Sequence, residues 1–388
     1  MALGCPYRPP SGVLIAVLAL LFATSLCGQG SPPGLQPQSH TATLAHNALL
    51  STLDAERGLI KLDVVVSDKT GQPATGFESK DFTVLDNGQP AKIMSFGASD
   101  RSAPHDSSLE LVLVLDTLHV PRMLSSHERE EVQKFLRRNR GKLAEPVSIF
   151  KLVDSGLWLV AEPSKDGNAL AENISHDTQL RLIRKPIGPR GLFGRGPDEP
   201  PGLLSLKAMG DIATAERQKP GRKLLVWIGP YQEENGAIFH RDRVFNMIVW
   251  FSTLLREARV TLYNFSEGEN DRDPRASRYR GFLNGAKSMR EAEFEYLDRK
   301  VLAVQSGGRA LSAVDDLASQ IANCVEEESD FYTVSFNPAP ADHPNDYHDL
   351  KVRVSTPEFT ARSDTGYYDQ PYYQDHPSPS AKPVTVEQ

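Results

Sequence analysis

The sequence predicts an α/β protein in which a doubly wound, mostly parallel sheet is inserted between the two halves of a small antiparallel β-sandwich. Three observations carry that expectation. From Leu109 to about Asp330, nearly continuous apolar runs alternate with amphipathic stretches, as in a parallel sheet covered by helices on both faces. A short group of alternating, turn-punctuated strands lies on each side of that segment. Such a group is marginal alone in water, so the two are expected to pack on each other.

The 388 residues suffice for about two domains. Residues 1–28 carry one positive side chain, Arg8, then the apolar run Val13–Ala23 (VLIAVLALLFA), then Thr24, Ser25 and Gly28. That run is shorter than the ~20 residues of a membrane-spanning helix and has the layout of a secretory signal peptide. A lipoprotein signal at Cys27 would need a small residue where Leu26 stands. An exported chain, periplasmic or secreted, is expected, with no transmembrane span once the signal is cleaved. Losing Arg8 leaves 50 Asp and Glu against one fewer than the 43 Lys and Arg. A net negative chain without a basic block is a poor phosphate ligand, so nucleic acid is not an expected partner. Of the three cysteines, Cys5 and Cys27 lie in the signal. Cys324 is left alone in the helical pattern LASQIANCVEE, and a buried inert thiol is expected.

Residues 29–55, opening with SPPGLQPQSH, read as a linker. Residues 56–100 form the first half of the sandwich. A strand at Leu62–Val66 is followed by a hairpin pairing Phe82–Val84 with Ile93–Phe96 around Asn87-Gly88. Residues 107–329 form the α/β segment. Its strands are expected at Leu111–Leu115, Val147–Val153, Leu157–Val160, Lys223–Ile228 and Val260–Phe265. Its helices are expected at Ser126–Arg138, Leu203–Arg217, Asp242–Ala258, Ser288–Gln305 and Val314–Glu327. Residues 330–368 return to strands at Tyr332–Phe336, Leu350–Val354 and Thr360–Arg362, and the Pro-rich tail 369–388 is expected to be disordered.

Four signatures in order resemble one family: DFTVLDNGQPAKIMSF; LELVLVLDTLHVP; GRKLLVWIGP with RVTLYNF; and QSGGRAL through FYTVSFNP to YHDLKVRVSTPEFTARSDTGYY. They are similar to exported von Willebrand factor A (VWA)-related proteins of acidobacterial type, over residues 59–368. The resemblance implies a VWA domain with its ligand site above the carboxyl ends of the strands. In such domains a metal-ion-dependent adhesion site starts with Asp-x-Ser-x-Ser after the first strand and adds a threonine and a second aspartate from later loops. Mg²⁺ wants an octahedron of oxygen ligands. Asp116 matches the first carboxylate, but Leu118 and Val120 stand at the serine positions, and Trp227-Ile228-Gly229-Pro230 offers no acid. The loop IGPRGLFGRGPDEPPGLL holds no threonine.

The expected site is therefore degenerate. Asp116 should accept hydrogen bonds from neighbouring loop N–H groups, and Thr117 should point to the opposite side. His119 beside one acid reads as a loop histidine rather than a Zn²⁺ ligand. Arg190 and Arg195 stand in a Gly-rich surface loop that lacks the Gly-Lys-Ser/Thr of a phosphate-binding loop. The acids and histidines Asp342, His343, Asp346, His348 and Asp349 read as turn chemistry. The unusually apolar stretch Asp242–Ala258 implies either a covered helix or a partner surface. Asn173-Ile174-Ser175 and Asn264-Phe265-Ser266 match glycosylation acceptors.

The function expected is a non-enzymatic protein-interaction module without a cofactor, its contact rim comprising Asp116, Thr117, His119, Arg190, Arg195, Gly229 and Tyr231. The alternatives are a Mg²⁺- or Mn²⁺-dependent adhesion domain and an exported hydrolase using His119 or His240.

Overall fold

The computed structural model describes residues 58–99, 108–118, 122–153, 156–176, 181–182, 201–229, 239–266, 278–313, 316–341 and 343–369. All belong to the unit Asp54–Gln388. The expectations for residues 1–28, 29–55 and 370–388 lie outside the described residues. The protein is mixed α/β, with one mostly parallel sheet and two antiparallel ones.

Four strands come first: β1 (Ile60–Asp68), β2 (Phe82–Asp86), β3 (Gln89–Ala91) and β4 (Ile93–Ala98). The central segment supplies β5 (Leu109–Asp116), β6 (Lys142–Val153), β7 (Gly156–Asp166), β8 (Arg181–Leu182), β9 (Arg222–Ile228), β10 (Val260–Ser266) and β11 (Arg309–Ser312). Among them run α1 (Arg122–Leu136), α2 (Gly167–His176), α3 (Pro201–Glu216), α4 (Arg241–Glu257) and α5 (Arg299–Gln305), and α6 (Leu317–Ser329) follows β11. The chain then returns to strands with β12 (Tyr332–Phe336), β13 (Tyr347–Val354), β14 (Phe359–Arg362) and β15 (Gly366–Tyr368).

The central sheet has the order β11-β10-β9-β5-β6-β7-β8. The pairs involving β7 are antiparallel and the others parallel. Alternation along each buried strand sends side chains to two faces. Val112 and Val114 of β5 join Leu225 and Trp227 of β9 against α3, α4 and α5. Leu111, Leu113 and Leu115 join Val226 and Phe265 against α1 and α6. Each such Leu or Val, fully withdrawn from water, contributes about 1.5–3 kcal/mol, which is why β5 and β9 read as continuous apolar runs. β5 pairs with β6 on one side and β9 on the other, so the strand order reverses at β5.

The antiparallel sheets have the orders β14-β1-β12-β4 and β15-β13-β2-β3. Each combines strands from before and after the central segment, and both contribute to one apolar cluster that includes Leu62, Val84, Val334 and Val352. The expected hairpin is corrected here. Asn87 and Gly88, both at positive φ, turn β2 back onto the short β3. Ile93–Ala98 instead pairs with β12 in the other sheet. The chain therefore changes sheet between β3 and β4.

The helix expected over Ser288–Gln305 is also corrected. Its first part is turns and a 3₁₀ turn at Phe294–Leu297, and only Arg299–Gln305 is α-helical, started by the Asp298 carboxylate accepting from the Lys300 N–H at 2.8 Å. The expectations missed β3, β8, β11, β15 and α2. The apolar α4 is a covered helix: its Trp250 ring rests on α3 where Gly210 leaves room, and a Cβ at that glycine would lie 2.6 Å from the ring. Among the described residues no helix is long and apolar enough to cross a membrane.

Candidate functional site

Three strands end side by side at the reversal point of the central sheet. Val114 is in register with Trp227, and Trp227 with Asn264. Asp116 follows two residues after Val114, so Asp116, Trp227 and Asn264 project to the same face, the one covered by α3, α4 and α5.

All three are fully buried. Asp116 Oδ2 accepts from the Trp227 indole N–H at 3.1 Å and from the Ser205 hydroxyl of α3 at 3.2 Å. Its Oδ1 accepts from the Leu118 N–H at 3.3 Å. Arg299, the first residue of α5 and 1% exposed, brings its guanidinium 3.8 Å from Asp116 Oδ2. The same guanidinium donates to Asn264 Oδ1 at 3.2 Å and to the Gly229 carbonyl at 3.4 Å, and it lies 5.1 Å from the centre of the Trp227 ring. A buried carboxylate without such partners would be very costly.

Gly229 belongs to this packing. It is buried with φ +144°, and an added Cβ would lie 2.7 Å from Asp116 Cβ. Thr117 is turned away: its N–H and hydroxyl both donate to the Leu152 carbonyl of β6, at 3.0 and 2.9 Å. Of the expected rim residues, Asp116 and Gly229 therefore lie inside the molecule as supports, because the end of β9 packs directly on the end of β5. His119, Arg190, Arg195 and Tyr231 lie outside the described residues.

The sequence points to Asp116 as an acceptor for loop N–H groups, and the Leu118 N–H is one, but it does not reveal Ser205, Trp227, Asn264 and Arg299 as its surroundings. One signal was legible: Asn264 is the only amide in the fully buried strand β10, and a buried amide requires a polar partner. That burial also withdraws the Asn264 glycosylation acceptor from solvent, whereas Asn173 is exposed.

The resemblance implies Mg²⁺ at this position. The described residues do not suit it. Among them Asp116 is the only acid of the group, its oxygens already accept from Trp227, Ser205 and Leu118, and the Arg299 guanidinium takes the Asn264 and Gly229 oxygens that a hard divalent ion would need. Among the described residues no group of three or more His, Cys, Asp or Glu side chains could hold a metal. Of the acid and histidine run, Asp342 lies outside the described residues and the others are dispersed. His343 donates its backbone N–H to Asp346 at 2.8 Å, whereas buried His348 meets Asp86 at 2.8 Å, and Tyr367 donates to the same carboxylate at 2.7 Å. Cys324 is buried, and burial pushes its thiol up. His240 is exposed just before α4.

A second polar cluster joins the antiparallel strands to the central sheet. Arg259 makes a forked pair with Asp63 of β1 at 2.7 and 2.9 Å. Glu328 of α6, fully buried, meets Arg222 of β9, Tyr263 of β10 and Arg362 of β14. Burial acts to raise the Glu328 carboxyl, but Arg222, Arg362 and the Tyr263 hydroxyl outweigh it and hold it below the usual range. Asp63 is held low against burial in the same way by Arg259, with help from Arg222 and Thr333.

No family model matches the chain, and no curated protein matches it. Among solved structures it is similar to the VWA domain of SpRpn10, seen in a crystal structure, at 10% sequence identity and a TM-score of 0.28, over 55% of this chain and 93% of that one.

Proposed function

We propose that this chain is an exported, periplasmic or secreted, non-enzymatic module that binds a protein partner through the rim above β5 and β9. In this reading residues 107–329 are a VWA-like domain with a degenerate metal-ion-dependent adhesion site. The two antiparallel sheets are one β-sandwich split by that domain, and residues 1–28 are a signal peptide. The supporting observation is that the strand order reverses at β5, since open α/β sheets bind their ligands at the carboxyl ends beside such a reversal. The partner would touch Thr117, His119, Arg190, Arg195 and Tyr231, while Asp116 and Gly229 hold the floor. Neither metal nor cofactor is required, because the floor carboxylate is already occupied by donors. The Mg²⁺- or Mn²⁺-bridged alternative needs acceptor oxygens that the described floor does not leave open, and the hydrolase needs a convergent base and nucleophile.

The test is photo-crosslinking of the full chain in an envelope extract, with the reactive side chain at Leu118 or, as a control, at exposed Lys351 of β13. A discrete polypeptide crosslinked from position 118, equally in EDTA and in Mg²⁺, is the expected result. Crosslinks that require Mg²⁺, or that arise from position 351 alone, would refute the reading.

A further inference from the structure

The guanidinium of Arg299 stands where three strand ends present oxygen: the Asp116 carboxylate of β5, the carbonyl of Gly229 just after β9, and the side-chain oxygen of Asn264 on β10. A hydroxyl, that of Ser205, completes the group by bonding to the same Asp116 oxygen at 3.2 Å. Such a gathering of one anion and several neutral oxygens is a cation site by composition, and a cation is present in it as a side chain. A guanidinium offers five N–H donors in a planar fork and remains charged at any ordinary pH, so it can serve several acceptors at once. The Trp227 ring, beside both the carboxylate and the guanidinium, adds a cation–π contact on one side and an N–H donor on the other.

We infer that Arg299 is a built-in cation that ties together the carboxyl ends of β5, β9 and β10 and closes this position to divalent metal ions. The rim is thus assembled permanently and not on metal binding. A partner has no ion to complete and need not bring an acidic side chain. The inference rests on the fold and the floor geometry alone and does not require that the rim docks a protein.

Its test is thermal unfolding of the full chain, in EDTA and in millimolar Mg²⁺ or Mn²⁺ at matched ionic strength. The wild type should unfold at the same temperature in all three. Arg299→Ala should lower the Tm by roughly 5–10 °C, the loss expected when one partner of a buried pair is removed. Adding Asp116→Asn to that variant should recover at least half of the loss, because the stranded charge is gone. If Arg299→Ala does not fold, Arg299→Gln with and without Asp116→Asn gives the same comparison, since Gln keeps most of the stem. A metal-dependent rise in the wild-type Tm, or losses from the two substitutions that simply add, would overturn the inference. Failure of the crosslinking experiment with these Tm results intact would count against docking alone.

Discussion

At the scale of single residues, the end of the central sheet depends on Gly229 as much as on the charged pair above it. Its φ of +144° and the 2.7 Å approach of a Cβ to Asp116 combine backbone strain with a clash. Gly229→Ala should therefore cost about 3 kcal/mol or more in urea denaturation, and a cost below about 1 kcal/mol would mean that the strand ends are less tightly packed. Asp364, between β14 and β15, lies in a small cleft with Lys61, Asp63, Arg256 and Arg259. Burial pushes its carboxyl up to about 7 against the pull of Arg256, with Asp63 adding to the rise. Its folded value exceeds the unfolded 3.8, so its contribution to stability is complete below about pH 4 and is lost as the pH rises through about 7. Asp63 and Glu328 are held low and act in the opposite sense: what they contribute is present above the ordinary carboxylate range and disappears as the pH falls through their folded values. Asp364→Asn should flatten the decline in urea midpoint between about pH 5 and pH 8. An unchanged slope would exclude that assignment. Asp116 was legible because an acid ending an apolar strand is conspicuous. Arg299 was not, because it comes from a distant part of the chain and only folding brings it to β5.

At the scale of elements, strands buried on both faces were the most legible, because β5 and β9 carry long apolar runs, residues 111–115 and 224–228, that a sheet covered on both faces requires. Edge strands such as β3, β8 and β11 are too short to leave a period. The segment Ser288–Glu293 has a helical composition but no helix, while the neighbouring α5 is set by the Asp298 cap. Composition favours a helix there, and the local cap decides where it starts. The change of sheet between β3 and β4 could not be read at all, since alternation reports which residues are inward and not which strand lies alongside. The pairing of elements across the junction is testable through the Arg259–Asp63 fork. Arg259→Ala should cost about 3 kcal/mol, and Asp63→Asn should cost less in that background than in the wild type, as measured in a double-mutant cycle. Additive losses would show that the two side chains do not act together.

At the scale of the whole molecule, β1 and β12 pair across the interruption made by the central segment, and Asp63, Arg222, Arg259, Glu328 and Arg362 link the antiparallel strands to the central sheet. The described unit should then unfold cooperatively. Trp158, Trp227 and Trp250, the three tryptophans of the chain, all lie in the central segment, so fluorescence reports on it alone, whereas far-ultraviolet circular dichroism reports on every strand. The two thermal transitions should coincide, and a separation of several degrees would mean that the antiparallel strands melt on their own. The cation at the end of β5 holds three strand ends of the central sheet together. The most direct measurement is a crystal structure of the full chain grown in Mn²⁺ and collected for anomalous scattering. The result predicted is no manganese peak at Asp116, with the Arg299 guanidinium about 4 Å from the carboxylate. A manganese ion coordinated by Asp116 with Arg299 displaced would contradict it.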